Sequence, residues 1–217
     1  MQYKGVMFDM DGLLLDTERL VVDSFQRTAA GFDLADIGDV VVQMIGLRAD
    51  SSDMILRHAL NGRMDQQEFS AAWQADINVV VADGIPLKSG VVELLELLAA
   101  QGLPCVVATS TRTKLARHHL GLSGIIKYFQ YVIGGEQVDH GKPAPDIYHK
   151  AAEMIGLMAR DCVAFEDSDP GATAAISSGA KTVQVPDINQ PSAEMRQMGH
   201  LIAPNLLDGA RKIGLIS

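Results

Sequence analysis

Two aspartates, Asp9 and Asp11, stand one residue apart in the segment GVMFDMDGLLLDTE (5–18), directly after an apolar run. Ionised carboxylates at this spacing repel each other, and burial at the end of a strand raises the cost. A solvated turn with a helix cap would tolerate the pair. A cation would also tolerate it, because Mg²⁺ accepts hard carboxylate oxygens as ligands. The other polar clusters of the chain favour the cation.

Polar groups also follow three later apolar runs. Hydroxyl groups end the run LPCVVAT, a lysine lies in the loop after YVIGG, and carboxylates end the run CVAFE. Ligands of a parallel α/β sheet bind outside the carboxyl ends of its strands, so we expect these groups to lie together. The residues concerned are Thr109, Ser110, Thr111, Lys142, Glu166 and Asp167.

Three of the carboxylates form a candidate metal site. Asp9, Asp11 and Asp167 supply oxygen ligands of the kind that Mg²⁺ accepts, together with water and a substrate phosphate. The ion would relieve the repulsion between the carboxylates. It would also give an acidic protein the positive centre that it needs to bind a phosphate group.

The remaining polar groups suit a phosphoryl group. The Thr109 hydroxyl and the backbone N–H groups of Ser110 and Thr111 lie at the start of a predicted helix, where anions bind. Lys142 adds a compact positive charge. Carboxylates, a metal ion, a helix N-terminus and a lysine together indicate phosphoryl transfer, in which catalysis consists mainly of positioning and charge stabilisation.

The elements that must position these groups alternate from residue 86 onward. Continuous apolar runs predict buried strands, and apolar residues at helical spacing predict the helices between them. This alternation predicts a doubly wound α/β core with a mostly parallel, Rossmann-like sheet. The predicted strands after the first are 103–109, 131–135, 162–166, 182–187 and 200–203, and the predicted helices are 90–102, 111–121, 146–156 and 171–179.

The segment 17–84 has a different pattern. It contains helix-like segments and no convincing strand run, and glycine and proline follow it in DGIPLKSG. We therefore expect an α/β core formed by residues 1–16 and 85–217, with a small all-helical domain formed by residues 17–84.

Composition excludes several classes of protein. The chain has 217 residues and a formal net charge of −9, which disfavours nucleic-acid binding through a basic surface. No apolar run approaches the roughly 20 residues that span a bilayer, so we expect no membrane association. MQYKG leads directly into a strand-like run without a signal-peptide pattern, so we expect a cytoplasmic protein. Cys105 and Cys162 are interpreted as core thiols, and nothing in the sequence demands more than a monomer.

Four segments, FDMDGLLLDTE, VVATS, HGKPAPDIY and AFEDSDPG, resemble the four motifs of the haloacid dehalogenase-like hydrolase superfamily in order and spacing. The closest resemblance is to the phosphatases and phosphomutases similar to β-phosphoglucomutase, and it covers nearly the whole chain. It implies that the helical insertion is a cap, which closes over the core and excludes bulk water.

The resemblance also implies a role for each motif residue. Asp9 matches the nucleophile that forms an aspartyl-phosphate. Asp11 matches the general acid that protonates the leaving group and then the base that activates water. Thr109 matches the hydroxyl that holds a phosphoryl oxygen. Lys142 matches the lysine that bridges the nucleophile and the phosphate.

The implied metal ligands are Asp9, the backbone carbonyl of Asp11, and Asp167. Glu166 is a second acid beside Asp167 and would bind Mg²⁺ directly or through water. Arg48, in GLRADSS, lies where members of the family often place a cap residue that selects the substrate, although an exposed arginine before a helix fits equally well.

The resemblance separates three activities. Members that dehalogenate lack an acid two residues after the nucleophile, so Asp11 disfavours dehalogenation. Mutase members carry a histidine four residues after the threonine of the DT pair, where this chain has Val21. We therefore expect a Mg²⁺-dependent phosphatase of a small phosphorylated metabolite, such as a sugar phosphate. A β-phosphoglucomutase-type mutase is the alternative, and a non-catalytic phosphate-binding protein is a third hypothesis.

Overall fold

A parallel β-sheet runs through the part of the chain that carries the predicted site. The computed structural model describes residues 3–45, 49–82 and 84–217. The strands in these residues are β1 (Gly5–Phe8), β2 (Cys105–Ala108), β3 (Tyr131–Ile133), β4 (Cys162–Glu166), β5 (Lys181–Gln184) and β6 (Leu201–Ile202). They form one sheet in the order β3-β2-β1-β4-β5-β6, and each neighbouring pair is parallel.

The central strands are buried on both faces, which explains their continuous apolar sequences. All residues of β1, β2 and β4 are buried. In the register between β1 and β4, Phe8 lies opposite Phe165, and their rings stack with centroids 5.3 Å apart. This pairing sets the level at which the two strands end.

Helices occupy most of the remaining described chain. The α-helices are α1 (Thr17–Gly31), α2 (Ala49–Leu60), α3 (Gln66–Ala82), α4 (Val91–Ala100), α5 (Thr113–Leu122), α6 (Asp146–Met154), α7 (Asp169–Ser177), α8 (Ala193–Gln197) and α9 (Leu206–Lys212). Short 3₁₀ helices span Ala35–Gln43, Ile126–Tyr128, Gly135–Gln137 and Ala159–Asp161.

Helices cover both faces of the sheet. On one face, Met7 of β1 belongs to a buried cluster that includes Ile147 of α6 and Ala174 of α7. On the other face, α9 approaches so closely that a Cβ at Gly209 would lie 3.5 Å from the ring of Phe165. The predicted doubly wound α/β fold with a Rossmann-like sheet is therefore confirmed.

The chain divides into two units. One unit comprises Met1–Leu15 and Pro86–Ser217, and it contains the sheet. The other unit comprises Asp16–Ile85, and each boundary differs by one residue from the prediction. Within the sheet unit, Leu15 forms an antiparallel bridge with Leu87, and the N–H of Lys88 donates to the carbonyl of Leu14 at 3.0 Å.

The second unit has a hydrophobic core of its own. Its described residues form the helices α1, α2 and α3 and the 3₁₀ helix Ala35–Gln43, which the sequence pattern did not predict. The ring of Phe25 lies 5.2 Å from that of Phe69 and 5.0 Å from that of Trp73. Trp73 therefore packs against the core, as expected of an apolar residue in a helical bundle.

Among the helices of the described ranges, none is both long enough and apolar enough to span a membrane.

Both cysteines are free and buried, as the sequence predicts. Burial raises the pKa of the Cys105 thiol to about 12. Burial, assisted by the charge of Asp161, raises the pKa of the Cys162 thiol to about 11. The reactive thiolate is therefore scarce at neutral pH in the folded protein.

We predict that iodoacetamide at neutral pH modifies neither cysteine of the folded protein and modifies both after unfolding in guanidinium chloride. Unfolding exposes both thiols and returns each pKa to its ordinary value. Mass spectrometry of timed samples measures the modification. Rapid modification of the folded protein at Cys105 or Cys162 would contradict the prediction.

Candidate active site

The candidate site lies where β1 and β4 end side by side at the centre of the sheet. Asp9 follows β1 directly, and Glu166 is the last residue of β4. The N–H of Asp9 donates to the carbonyl of Phe165 at 3.0 Å, so the backbone pairing continues to the site. From β1 the chain builds β2 and β3 on one side and β4, β5 and β6 on the other. Ligands of open α/β sheets bind at such a switch point.

Lys142 joins the two strand ends. Its Nζ forms ion pairs with Asp9 Oδ1 and with Glu166 Oε1, the latter at 2.5 Å. The side chains of Lys142 and Asp9 are 6% and 9% exposed, and that of Glu166 is fully buried. Lys142, which the sequence places in the loop after β3, is thus the direct partner of both Asp9 and Glu166.

Proton affinities in the site reflect burial and mutual repulsion. Burial raises the pKa of the Asp9 carboxyl group, and the charges of Glu166 and Asp11 add to the effect, while Lys142 opposes it. Burial alone would lower the pKa of Lys142, but the charges of Asp9 and Glu166 outweigh it and raise that pKa. Lys142 therefore stays protonated and partly offsets the cost of burying the two acids.

Glu166 is held by five hydrogen bonds. Oε1 accepts from Lys142 and from the Tyr148 hydroxyl at 2.9 Å. Oε2 accepts from the N–H of Asp167 at 3.0 Å, and from the N–H and the hydroxyl of Ser168 at 3.2 Å and 3.1 Å. Because both oxygens are occupied by the protein itself, Glu166 is fixed in one orientation.

Helix α7 begins close against this carboxylate. Ser168 is its N-cap, and the hydroxyl oxygen accepts from the N–H of Gly171 at 3.2 Å. A Cβ at Gly171 would overlap the carboxylate of Glu166. Glycine at this position therefore makes room for the buried acid.

Three buried acids meet in the site. Ligand oxygens of Asp9, Glu166 and Asp167 lie within 4.8 Å of one another, and no other such group of acidic, histidine or cysteine side chains occurs in the described ranges. Lys142 pairs with Asp9 and Glu166, and the Asp167 carboxyl group lies beside these two acids, so acidic groups outnumber the lysine in the site. Hard oxygen donors at this separation fit a divalent cation such as Mg²⁺.

The end of β2 brings hydroxyl groups to Asp11. The Thr111 hydroxyl donates to Asp11 Oδ2 at 2.7 Å, while the Thr109 hydroxyl lies 3.5 Å from the same oxygen. Thr109 is buried and its Oγ1 accepts from the N–H of Thr111 at 3.1 Å, whereas Ser110 is exposed. Helix α5 begins at Thr113, two residues after its predicted start, so Ser110 and Thr111 precede the helix.

Most of the predicted site residues thus form two groups, which the short segment from Asp9 to Asp11 connects. Lys142 contacts Asp9 and Glu166, with Asp167 beside them, and Thr111 contacts Asp11. Arg48 lies outside the described residues, and its predicted role in substrate binding stays a prediction.

Sequence reasoning missed Tyr148. Its hydroxyl contacts Glu166, its side chain is fully buried, and Lys142 Nζ lies 5.4 Å from the centre of its ring. A signal was present, because Tyr148 lies beside Ile147 on the apolar face of a predicted helix. A tyrosine in such a place needs a partner for its hydroxyl group.

Comparison with known proteins adds independent information. The family model described as haloacid dehalogenase-like hydrolase matches residues 6–185. The chain belongs to the haloacid dehalogenase-like hydrolases. The match includes the four motif segments and the second unit, Asp16–Ile85, which lies between the first and second motifs and is called the helical unit below.

Relatives of this hydrolase include named phosphatases. It is 31% identical over 180 residues to a phosphorylated carbohydrates phosphatase of Thermotoga maritima, an alignment that covers 83% of each chain. It is also 31% identical over 205 residues to a fructose-1-phosphate phosphatase of Escherichia coli, covering 85% of this chain and 97% of the relative.

Solved structures show the same fold. The crystal structure of a putative β-phosphoglucomutase from Thermotoga maritima superposes with a TM-score of 0.83 at 26% identity, covering 99% of this chain and 100% of the other. The predicted resemblance to β-phosphoglucomutase-like members is confirmed. The named phosphatases among the relatives of this hydrolase support phosphoric monoester hydrolysis as its activity.

We predict that Tyr148→Phe lowers the free energy of unfolding by about 1–3 kcal/mol, because a buried carboxylate loses one hydrogen bond. Unfolding in urea, followed by fluorescence or circular dichroism, measures the change. Tyr128→Phe is the matched control, since the contact of the Tyr128 hydroxyl with Glu96 is long, at 3.4 Å, and exposed.

The control should differ from the wild-type protein by less than about 0.5 kcal/mol. Equal stability of the two variants would show that the bond to Glu166 contributes nothing to folding.

Proposed function

We propose that this hydrolase is a Mg²⁺-dependent phosphatase that releases phosphate from a small phosphorylated metabolite through an aspartyl-phosphate on Asp9. A sugar phosphate or a similar monoester is the proposed substrate class. The names of the two phosphatase relatives support this class, because both refer to phosphorylated carbohydrates.

The arrangement of Lys142 between Asp9 and Glu166 carries the proposal. A nucleophilic carboxylate must be ionised and aimed, and the ion pair with Lys142 favours the ionised form of Asp9. The same ammonium group is placed to attract a phosphoryl oxygen that approaches Asp9. Glu166 is itself held by five hydrogen bonds, so its ion pair with Lys142 keeps the ammonium group in place when a substrate binds.

The proposed reaction has two steps. Asp9 attacks phosphorus, the bond to the ester oxygen breaks, and Asp11 gives its proton to that oxygen. Water then attacks the phosphorus of the aspartyl-phosphate while Asp11 takes a proton from it, and free phosphate leaves Asp9. The Thr109 hydroxyl at the end of β2 holds a phosphoryl oxygen, and the N–H group of Ser110 is a further candidate for this contact. The N–H group of Thr111 donates instead to Thr109 Oγ1.

The acids of the site would hold the metal. Asp9 and Asp167 are the first candidates for direct coordination, together with the backbone carbonyl of Asp11. Glu166, whose oxygens already accept five hydrogen bonds, would contribute its charge or a contact through water. When bound, Mg²⁺ supplies positive charge that offsets the carboxylates and the charge developing on the phosphoryl oxygens.

The helical unit, residues 17–84 of the predicted division, is proposed as the cap that selects the substrate, with Arg48 as a candidate contact. The protein is proposed to act as a monomer in the cytoplasm, on a small-molecule substrate.

A phosphosugar mutase is the alternative, because a putative β-phosphoglucomutase shares the fold. Val21 argues against it, because it stands where mutase members carry a histidine, and its apolar side chain packs against the core of the helical unit. A mutase would interconvert isomers with stimulation by a bisphosphate, whereas a phosphatase gives free phosphate. A non-catalytic phosphate-binding protein would give neither product, and it would not need the contact between Lys142 and Asp9.

We predict that Asp9→Asn lowers the rate of phosphate release by at least about 10⁴-fold, because the nucleophile is lost. Release from an aryl phosphate and from a panel of sugar phosphates with Mg²⁺ measures the rate. The fold should persist, since asparagine keeps the shape and Lys142 keeps Glu166 as its partner. Phosphate release by a folded Asp9→Asn variant at the wild-type rate would refute the mechanism.

We predict that removal of divalent cations with a chelator abolishes phosphate release and that added Mg²⁺ restores it. In Asp167→Asn, the concentration of Mg²⁺ that gives half-maximal activity should rise at least about tenfold, because one carboxylate ligand is lost. Thr173→Ala serves as the control, because the Thr173 hydroxyl contacts the backbone carbonyl of Asp169 and the sulfur of Met195 and none of the three acids of the metal site. Unchanged activity after chelation would exclude a metal requirement.

A further inference from the structure

The Thr111 hydroxyl makes a contact that the proposed mechanism does not use. It donates to Asp11 Oδ2 at 2.7 Å, a distance typical of a strong hydrogen bond to a carboxylate. The 3.5 Å separation between the Thr109 hydroxyl and the same oxygen is much longer. Thr111 is therefore the principal hydroxyl partner of Asp11 at the end of β2.

The backbone of Thr111 is itself anchored. Its N–H donates to Thr109 Oγ1 at 3.1 Å, and its carbonyl accepts from the N–H of Gly135 at 3.4 Å. Thr109 is buried and continues the sheet, because its N–H donates to the carbonyl of Ile133. The position of the Thr111 hydroxyl is thus set by the sheet.

The backbone of Asp11 is anchored as well. The N–H of Gly12 donates to the carbonyl of Leu15 at 2.9 Å, and Gly12 has a φ of 78°, which favours glycine. A tight turn therefore fixes the Cα of Asp11. The bond from Thr111 to Oδ2 restrains the rotation of the Asp11 side chain.

We propose that Thr111 is the positioning residue of Asp11 and sets which carboxyl oxygen exchanges the proton. The inference rests on the proposed function, in which Asp11 is the general acid and base. A hydroxyl that donates to Oδ2 makes this oxygen the acceptor, so the transferable proton resides on Oδ1.

Proton transfer then proceeds through one oxygen of Asp11. As Asp9 bonds to phosphorus and the ester bond breaks, Oδ1 gives its proton to the leaving oxygen. As water bonds to phosphorus and the Asp9–phosphorus bond breaks, Oδ1 takes a proton from that water. Thr111 keeps its own proton throughout both steps and touches no reacting atom.

The dependence of the rate on the leaving group tests whether Thr111 positions Asp11. An alkyl phosphate expels a strongly basic oxygen, which needs a proton in the transition state. A p-nitrophenyl phosphate expels a weakly basic oxygen, which leaves without one. Loss of the orientation of Asp11 should therefore slow alkyl phosphates much more than p-nitrophenyl phosphate.

The experiment measures kcat/KM for Thr111→Val over a series of alkyl and aryl phosphates with Mg²⁺, because kcat/KM reports only on the steps up to departure of the leaving group. Valine keeps the shape of threonine without the hydroxyl group. We expect kcat/KM for alkyl phosphates to fall on the order of 10- to 100-fold, with a much smaller fall for p-nitrophenyl phosphate. A plot of log kcat/KM against the pKa of the leaving group should become steeper.

Two further variants serve as controls. Thr111→Ser keeps a hydroxyl group and should keep the wild-type dependence on the leaving group. Thr111→Ala removes the hydroxyl without adding an apolar group. It should show the same steeper dependence as Thr111→Val, because the effect comes from the lost hydroxyl and not from the valine methyl group. Circular dichroism and thermal unfolding check that each variant is folded.

Other outcomes would overturn the inference. An equal fall in kcat/KM for all substrates, aryl and alkyl alike, would assign Thr111 to phosphate binding or to the fold. An unchanged dependence in both Thr111→Val and Thr111→Ala would leave no role in positioning Asp11. In these cases an active wild-type protein still upholds the proposed function, whereas a wild-type protein that hydrolyses no substrate overturns both.

Discussion

The ammonium group of Lys142 lies between Asp9 and Glu166 in a place almost closed to water. Two acids on neighbouring strands would repel each other there, and removing the shared cation would leave buried charge without compensation. The arrangement requires that β1 and β4 end at the same level, which the pairing of Phe8 with Phe165 ensures. Because side chains alternate between faces, a slip of one residue would turn Glu166 away from Lys142.

Much of the fold and of the site could be predicted from the sequence, because both depend on local patterns. The strand Cys162–Glu166 has the predicted bounds, since a buried parallel strand is a continuous apolar run. Asp9, Lys142 and Asp167 could be selected because ligands gather at the carboxyl ends of such strands. The family resemblance, carried by four short motifs, supplied their proposed roles.

Details that depend on side-chain orientation across the fold could not be predicted. The Tyr148 hydroxyl meets Glu166 only because α6 packs on the face of the sheet beneath the site. The hydroxyl of Thr111 turns to Asp11, whereas the sequence suggested only an N–H group at the start of a helix. That helix starts later, at Thr113, so the predicted position of its N-terminus was wrong. Such contacts join residues far apart in sequence, and no periodicity encodes them.

The chain leaves the sheet unit after Leu15 and re-enters it at Pro86, and the bridge between Leu15 and Leu87 holds these two points side by side. The entropic cost of closing a chain segment between two adjacent points grows only slowly with the length of the segment. Chain closure therefore sets only a weak limit on the length of the segment between Leu15 and Pro86. Segments of other sizes could stand between these two points without altering the strand register that holds Asp9 beside Glu166.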